Sequence, residues 1–428
     1  MNLKKTVAMA FIGASVFALA SSSAAYGEGL PSTSTILVGS GSDTTQDVMN
    51  QIANTINLAN GATTANKCTT PDTSALGAGD VAAPGKTTGV GNLGLLCNWD
   101  ALTPSAAATI STRDGDADCQ NVTRPNGSGQ GIRALADSIS GLADFGSANL
   151  QDCFDYARAS GLSAQAGSVQ NTMRAYQYAV DQVEPIKRAG GSAPNTINRT
   201  GAVSLARLYS YDYDTLPAAQ GGLGLTPANL VPGSAACLNV RALVPQSGSG
   251  TLSFWASAMQ QAARDSGATT AAIDATKFGV AGGWSPCVDP AYTPQENTGS
   301  ALRSGADVIP HSCGQYYSQR SGVISPNQTG IAVPVAVNQT FCGQSNYVTQ
   351  LTRNVYNVIR EDHRTDAVNG TSVTVDQVFG PGGLVCSDTA DILKFGLSAV
   401  SGCGNSGLNG TANAAGTAFG WASSNPQF

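Results

Sequence analysis

The sequence predicts an α/β fold with mainly parallel sheets and helices on both faces. Short β-branched stretches alternate with stretches in which apolar residues recur at helical spacing. The first pair is a strand at 35–38 followed by a helix at 44–56, where Val48, Ile52 and Ile56 recur every four positions. Strands that alternate with helices favour parallel sheets covered by those helices.

The same alternation continues along the chain. Further helices are predicted at 132–139, 205–210, 252–262 and 347–362, and further strands at 119–123, 239–244 and 330–339. Residues 141–150 are predicted as a short strand and turn. Residues 60–95 are rich in Gly, Ala, Thr and Pro without a clear period, which predicts a long excursion from the fold.

The first 25 residues have the pattern of a secretory signal peptide. Lys4 and Lys5 supply a positive start, residues 7–20 an apolar stretch, and residues 23–25 a cleavage site of small side chains. The apolar stretch is shorter than the ~20 residues that span a bilayer. We therefore expect an exported chain, soluble after cleavage, in the periplasm or at the cell surface.

The charge balance argues against nucleic acid and anionic membranes as partners. The chain has 22 Lys and Arg against 28 Asp and Glu, a net charge of −6. Removing Lys4 and Lys5 with the signal leaves 20 basic against 28 acidic residues, so the mature charge is −8. Because this field repels anions, any bound anion must be held by local dipoles.

Ten cysteines predict up to five disulfides in an exported chain. No two of them are closer than 17 residues, and the chain has only two histidines, so metal binding is the weaker interpretation. Connectivity does not follow from sequence; Cys68–Cys97 and Cys386–Cys403 are guesses based on proximity along the chain.

Three loops rich in glycine and serine each lead into a predicted amphipathic helix, at 39–44, 126–131 and 247–251. The start of a helix leaves N–H groups unpaired and carries about half a positive charge, and glycine lets a ligand approach the backbone closely. Three such starts at one point would hold a small tetrahedral oxyanion. Each loop alone also fits an ordinary helix cap, in a chain with 50 glycines.

The order of these loops resembles that in the phosphate-binding component of ABC importers, within the class II periplasmic-binding-protein fold. The motifs are GSGSDTT at 39–45, NGSGQG at 126–131, DFGSAN at 144–149 and SGSGT at 247–251. By motif order the resemblance covers residues 35–260.

The resemblance implies a two-lobed molecule that binds without a chemical step. After the signal peptide at 1–25, the first lobe would hold residues 30–165, the second 170–320, and residues 321–428 would return to the first lobe and form a tail. The ligand would be inorganic phosphate or a similar small oxyanion, held in the cleft of a monomer without a cofactor. An ABC permease would be the partner.

Carried across by position, the resemblance implies a set of ligand-binding residues: Asp43, Thr44, Ser128, Asn149, Ser249, Gly250, Thr251 and Arg241. Two positions depart from the family. Asn149 stands where the family has a carboxylate that accepts the proton of hydrogen phosphate. Pro245 and Gln246 stand where the family has an arginine before its Gly-Ser-Gly-Thr motif.

These departures suggest a substitute set of residues. As a hypothesis, Asp43 takes the acceptor role, and Arg241 or Arg133 supplies the guanidinium. In the alternative interpretation Asp43 only caps the first helix.

Two other functions stay open at the level of sequence. One is an extracellular adhesive or carbohydrate-binding module that keeps the fold without a transporter. The other is an exported hydrolase, which would need a nucleophile within hydrogen-bond reach of His311 or His363. The sequence has no G-x-S-x-G motif, which disfavours the hydrolase.

Overall fold

The computed structural model describes residues 36–60, 94–101, 109–113, 116–163, 169, 171–214, 230–268, 273–324, 332–338, 342, 349–409 and 421–422. The predicted signal peptide, most of the predicted excursion at 60–95 and most of the C-terminal tail lie outside these residues. Within the described ranges, no helix is long and apolar enough to cross a bilayer.

Four of the described helices lie where the apolar spacing predicts them, at 44–56, 132–139, 205–210 and 252–262. The described helices are α1 (Gln46–Ala59), α2 (Ser128–Ser140), α3 (Leu205–Tyr209), α4 (Tyr211–Asp214), α5 (Gly250–Asp265), α6 (Cys313–Arg320), α7 (Val375–Phe379), α8 (Leu384–Ser387) and α9 (Thr389–Lys394). Single 3-10 turns lie at Ala117–Cys119, Ala235–Cys237, Gly299–Ala301 and Thr349–Leu351. In α1 the predicted stripe of Val48, Ile52 and Ile56 is buried, so this helix is confirmed.

The described strands are mostly short. They are β1 (Leu37–Gly41), β2 (Leu96–Asn98), β3 (Thr109–Ile110), β4 (Val122–Thr123), β5 (Tyr156–Ala159), β6 (Leu162–Ser163), β7 (Met173–Arg188), β8 (Thr196–Ile197), β9 (Arg241–Ala242), β10 (Asp274–Phe278), β11 (Gly283–Trp284), β12 (Asp307–Ser312), β13 (Ala332–Pro334), β14 (Ala336–Val337), β15 (Thr352–Arg360), β16 (Ser398–Ala399), β17 (Ser406–Leu408) and β18 (Trp421–Ala422).

One large sheet organises the molecule. Its strands run in the order β2-β1-β5-β15-β7-β12-β9, and β13, β16 and β17 also pair with β7. Pairing is parallel among β2, β1 and β5 and between β9 and β12. The α/β fold is confirmed, and its sheet is mixed, because β15 and β7 run antiparallel to each other and to their outer neighbours.

The long strand β7 pairs with different strands in its two halves. Its residues up to Gln182 pair with β15, and its residues from Val183 onward pair with β12. The buried apolar residues divide at the same place. Two clusters draw on residues 36–179 and 355–397, and two others draw on residues 183–351. The switch of partners along β7 is therefore where one core ends and the other begins.

Two sequence predictions of secondary structure are wrong. Residues 347–362 form no helix; the described part is a 3-10 turn followed by β15. This segment is rich in β-branched and aromatic residues, and its burial is nearly continuous, as in a strand covered on both faces. Residues 141–150 contain no strand either. They form turns in which Phe145 has a positive φ of 48°, and the strand of this region is β5.

Disulfides join Cys119 to Cys153, Cys237 to Cys287, Cys313 to Cys342 and Cys386 to Cys403. The predicted pair Cys386–Cys403 is confirmed. The predicted pair Cys68–Cys97 includes Cys68, which lies outside the described residues.

Candidate functional site

The three glycine- and serine-rich loops lie together in the structure. The first leads from β1 into α1, the second leads into α2, and the third leads into α5. The amide of Gly127 donates to the carbonyl of Gly41 at 3.3 Å, and the amide of Gly129 donates to the carbonyl of Gly248 at 3.2 Å. The second loop therefore bridges the first and the third.

Glycine is required where the second and third loops meet. Gly127 has a φ of 105°, a left-handed conformation that side chains rarely adopt, and a Cβ there would overlap the carbonyl oxygen of Gly248. A Cβ on Gly250 would overlap the hydroxyl groups of Ser128 and Ser160. Neither backbone could approach this closely with a side chain present.

Buried serine hydroxyls connect the loops to the end of β5. The hydroxyl of Ser42 donates to Ser160 Oγ at 3.1 Å, and Ser128 Oγ lies 3.1 Å from the same atom. The amide of Ser160 donates to Ser128 Oγ at 2.9 Å. Ser128, which was predicted from sequence, is thus held in place by Ser160, which was not.

An arginine of β15 meets the start of α1. Arg353 Nη2 donates to Thr44 Oγ1 at 2.9 Å, and the same guanidinium pairs with Asp181 of β7 at 2.9 Å. Its Cζ lies 5.7 Å from the ring centre of Phe254, in the first turns of α5. Arg353 therefore stands between the starts of α1 and α5.

Three consecutive residues, Gln295, Glu296 and Asn297, contact all three loops; we call them the 295–297 segment. Gln295 Nε2 donates to Asp43 Oδ2 and to Asn126 Oδ1, both at 3.2 Å. Asn297 Nδ2 donates to Thr44 Oγ1 at 3.2 Å. Glu296 Oε2 accepts hydrogen bonds at the start of α5, from Ser249 Oγ at 2.6 Å and from the amide of Thr251 at 3.3 Å.

A fourth helix, α6, also starts beside these residues. Its capping residue, Ser312, donates from Oγ to Asp181 Oδ1 at 2.9 Å, and the amide of Gly314 donates to the same oxygen at 3.2 Å. Gln315 Nε2 donates to the carbonyl of Thr44 at 3.1 Å. Burial raises the pKa of Asp181, and Arg353 opposes that shift. Arg353 and the start of α6 thus share one buried carboxylate.

We call the residues around this point the cleft cluster: Ser42, Asp43, Thr44, Ser128, Ser160, Thr251, Glu296 and Arg353. Among the described residues, three side chains of the cleft cluster have a buried polar atom without a hydrogen-bond partner. These atoms are Thr251 Oγ1, Glu296 Oε1 and Arg353 Nη1. The three residues are 0%, 1% and 6% exposed. An unsatisfied buried polar group costs about 1–3 kcal/mol, and the two donors among these atoms, Thr251 Oγ1 and Arg353 Nη1, are available to an acceptor.

The carboxyl group of Asp43 lies inside the cleft cluster and is not a helix cap. The residue that precedes α1 is Thr45, which makes no side-chain capping hydrogen bond, and Asp43 Oδ2 accepts a hydrogen bond from Gln295. Burial raises the pKa of Asp43 well above its usual value, and the nearby negative charge of Glu296 raises it further. The interpretation of Asp43 as a cap is therefore wrong.

The cleft cluster does not include every residue implied by the resemblance. Asn149 lies beside Gly141, which ends α2, so about 20 Å of helix separates it from Ser128. Its Oδ1 accepts the amide of Gln151 at 3.0 Å, as in an ordinary turn. Asn149 is thus excluded from the cleft cluster by its position at the opposite end of the helix.

The two arginines proposed from sequence form ion pairs with carboxylates outside the cleft cluster. Arg241 forms a bidentate pair with Asp307 at 2.7 and 2.8 Å on β9 and β12. Arg133 pairs with Asp144 and lies over the ring of Phe145. Because both guanidinium groups already have carboxylate partners outside the cleft cluster, Arg353 is the one that reaches Thr44.

The histidines form no nucleophile pair among the described residues. His311 Nδ1 lies 2.7 Å from the carbonyl oxygen of Ser312, and its Nε2 has no partner. Burial lowers the pKa of His311 to about 4. Neither ring nitrogen of His363 has a hydrogen-bond partner. No hydroxyl group is therefore activated by an imidazole in the part of the chain that the structure describes.

Sequence reasoning missed Ser160, Glu296 and Arg353. Arg353 was not identified because its segment was predicted as a helix. On a helix it would have been one of several surface charges. Glu296 belongs to a polar loop with no motif. A prediction of β15 as a buried strand would have signalled Arg353, because a charged residue in such a strand needs a buried partner.

No family model matches the sequence, and no curated protein matches it. Solved structures similar to the chain include an ABC-type phosphate transport receptor from Vibrio cholerae, at 13% identity and a TM-score of 0.39, which covers 86% of this chain and 100% of that chain. A phosphate binding protein from Stenotrophomonas maltophilia has 12% identity and a TM-score of 0.38, with 86% and 91% covered. PstS from Borrelia burgdorferi has 11% identity and a TM-score of 0.35, with 86% and 99% covered.

Proposed function

We propose that the protein is a receptor for a small oxyanion, with inorganic phosphate as the leading candidate, and that it performs no chemical step. One observation carries this proposal. Arg353 is bonded to Thr44 at the start of α1, while its Nη1 and the hydroxyl group of Thr251 at the start of α5 are buried without partners. A tetrahedral anion between the two helix starts would accept from these donors together.

Local dipoles can attract an anion even though the overall charge of the chain is negative. The chain carries a net charge of −6, so a distant anion is repelled. The starts of α1, α2 and α5 each carry about half a positive charge, and Arg353, although paired with Asp181, adds a guanidinium donor in a place shielded from water. The hydroxyl of Thr44 already accepts from Arg353 and Asn297, which leaves its hydrogen to donate to a ligand.

The carboxyl group of Asp43 supports phosphate over sulphate. Phosphate carries a proton at neutral pH and sulphate does not, so only phosphate can donate a hydrogen bond to a carboxylate in the cleft. We propose that Asp43 is this acceptor, in place of the position occupied by Asn149. Burial and the charge of Glu296 raise the pKa of Asp43, so this role requires that Asp43 release its proton when phosphate binds. Of the residues implied by the resemblance, Asp43, Thr44, Ser128, Ser249, Gly250 and Thr251 keep a proposed role in binding.

The binding cleft would open and close about β7. We propose lobes like those predicted at 30–165 and 170–320, with the boundary moved into β7, because the core divides between Ala179 and Val183. Of the predicted return at 321–428, the residues from Val355 onward pack in the first core, whereas Ala332, Val335, Val337 and Leu351 pack in the second. A small change of backbone angles near Gln182 would separate Ser128 from Gly250 and admit the ligand.

We propose that this receptor is exported and works as a monomer for uptake by an ABC permease. The disulfides support an oxidising location, where such bonds persist. The predicted signal peptide is consistent with that location. An adhesive or carbohydrate-binding module is the alternative, and it would bind sugars in preference to anions.

Thermal unfolding with phosphate, sulphate and small sugars tests this function. After dialysis that removes phosphate, the protein should gain roughly 3 kcal/mol of stability at a hundredfold excess of phosphate over its dissociation constant. The site variant T251V, which lacks one buried hydroxyl, should gain less stability at the same phosphate concentration. Stabilisation by a sugar alone would favour the alternative, and no shift with any oxyanion would contradict the receptor.

A further inference from the structure

The start of α5 is already occupied by a carboxylate of the protein itself. Glu296 Oε2 accepts the hydroxyl of Ser249 at 2.6 Å and the amide of Thr251 at 3.3 Å. These are the donors that an oxyanion at the start of α5 would use. Its other oxygen, Oε1, is buried without a partner, and the side chain of Glu296 is almost fully buried.

The neighbours of Glu296 link the two lobes while Glu296 holds α5. The side chain of Gln295 donates hydrogen bonds to Asp43 and Asn126, and the side chain of Asn297 donates one to Thr44. These three acceptors belong to the proposed first lobe. The 295–297 segment therefore connects the start of α5 to the first and second loops. Its position is also fixed by hydrogen bonds from the amide of Glu296 to Gln246 Oε1 at 2.9 Å, from the amide of Ser312 to Asn297 Oδ1 at 3.0 Å and from Gln319 Nε2 to the carbonyl of Asn297 at 2.9 Å.

We propose that Glu296 is an internal competitor for the oxyanion: its carboxylate fills the anion position of α5 in the empty receptor, and the ligand displaces it. This inference rests on the proposed function. The displaced 295–297 segment would then release its contacts with Asp43 and Thr44, so the affinity for phosphate is set by how much more strongly the start of α5 binds phosphate than it binds the carboxylate of Glu296.

The local structure permits this exchange. Residues 292–298 form neither helix nor strand, so the loop can rearrange without breaking an element. Two anions cannot share the donors of Ser249 and Thr251, because like charges at hydrogen-bond distance in a buried site repel strongly. A glutamine at 296 would retain the shape and one acceptor oxygen but lose the charge that competes.

Calorimetric titration with inorganic phosphate tests the proposal on the whole chain. We compare the wild type with E296Q and, as a matched control, E361Q, whose carboxylate pairs with Arg174 outside the cleft cluster. Because hydrogen bonds to charged groups contribute about 1.5–3 kcal/mol, E296Q should lower the Kd roughly 10- to 100-fold. E361Q should leave the Kd unchanged.

Each outcome decides between explanations. Weaker binding by E296Q would overturn the proposal, because Glu296 would then receive a hydrogen atom of the ligand. An unchanged Kd would overturn it as well, because Glu296 would lie outside the exchange. Absence of binding by every protein would contradict the proposed function itself, whereas binding by E296Q alone would support internal competition.

A second variant and a second measurement cover a failure of E296Q to fold. E296A removes the competing carboxylate completely and should also bind more tightly than the wild type. In the wild type, phosphate should increase hydrogen exchange of the amides of the 295–297 segment. Increased protection of those amides on phosphate binding would contradict displacement.

Discussion

Arg353 Nη2 lies 2.9 Å from Thr44 Oγ1, so a buried guanidinium of β15 meets the start of α1. The same group pairs with Asp181, which in turn accepts from Ser312 at the start of α6. The positive charge is therefore fixed by strands on one side and directed toward helix starts on the other. This network provides the arginine for which the sequence offered only Arg241 and Arg133.

Removing the charge of Arg353 should reduce both stability and phosphate binding. R353Q leaves Asp181 buried without its cation, which should cost about 3–5 kcal/mol in the free energy of unfolding. Urea denaturation measures that loss, and titration calorimetry should show phosphate binding weakened at least tenfold. R241Q is the matched control, because Arg241 also pairs with a buried carboxylate, Asp307, but outside the cleft cluster. If R353Q binds phosphate as tightly as R241Q does, Arg353 is only structural.

Replacing the buried hydroxyl of Thr251 should separate binding from stability. T251V keeps the shape and removes an oxygen that has no partner in the described structure. The free energy of unfolding without ligand should stay the same or rise, while the lost hydrogen bond should weaken phosphate binding by about 1 kcal/mol or more. The control T55V removes an exposed hydroxyl of α1 that donates to Asp391. It should lower the free energy of unfolding slightly and leave phosphate affinity unchanged. A T251V protein with wild-type affinity would remove Thr251 from the binding site.

Replacing Asp43 should change the choice between anions. D43N removes a carboxylate that could accept the hydrogen of phosphate, so phosphate binding should weaken and the preference over sulphate should shrink. Competition titrations of both anions against wild type and D43N measure this. Equal losses for phosphate and sulphate would show that Asp43 does not select between them.

The stability should depend on pH through Glu184 of β7. Burial raises the pKa of Glu184 from 4.5 to about 7, against the opposing hydrogen bonds from Gln182 and the Cys342 backbone. The folded state thus binds a proton that the unfolded state releases between these values, so stability falls as the pH rises from 4.5 to about 7. E184Q should show a smaller fall over that range in urea denaturation. An identical pH dependence in E184Q and wild type would refute this role.

Adding a side chain to Gly127 should block the contact between the second and third loops. G127A introduces a Cβ that would overlap the backbone of Gly248, so the lobes should close poorly and phosphate binding should be lost. The matched control is G201A. Gly201 has a similar φ of 96°, but nothing lies within 4 Å of its Cβ position. Small-angle scattering with phosphate should show a more open G127A; closure like that of G201A would contradict this prediction.

The helix starts could be predicted from sequence because their signals are local. Glycine and serine before a helical apolar stripe identify a helix start wherever the rest of the chain lies. The start of α1 was identified from the stripe of Val48, Ile52 and Ile56. The start of α5 was identified from the stripe that follows Thr251. The loops around Ser128 and Thr251 were identified in this way, before any knowledge of their distance in space.

The groups that complete the cleft cluster depend on distant pairing and could not be predicted. Arg353 reaches Thr44 only because β15 lies between β5 and β7 in the sheet, and that order does not follow from local pattern. The apolar spacing of Val355 and Ile359 fits a helix as well as a buried strand. Glu296 reaches α5 from a loop whose path is fixed by its contacts with Asp43 and Thr44. Its role follows from tertiary contacts alone.

The central claim is that one oxyanion binds between the starts of α1 and α5. The most direct measurement is a crystal structure with arsenate, an analogue of phosphate whose arsenic atom is located by its anomalous scattering. We predict a single arsenic peak. The oxygens around it should lie within hydrogen-bond distance of Thr251 Oγ1 and Arg353 Nη1. An arsenic peak elsewhere on the protein, or none in crystals soaked at saturating arsenate, would contradict the claim.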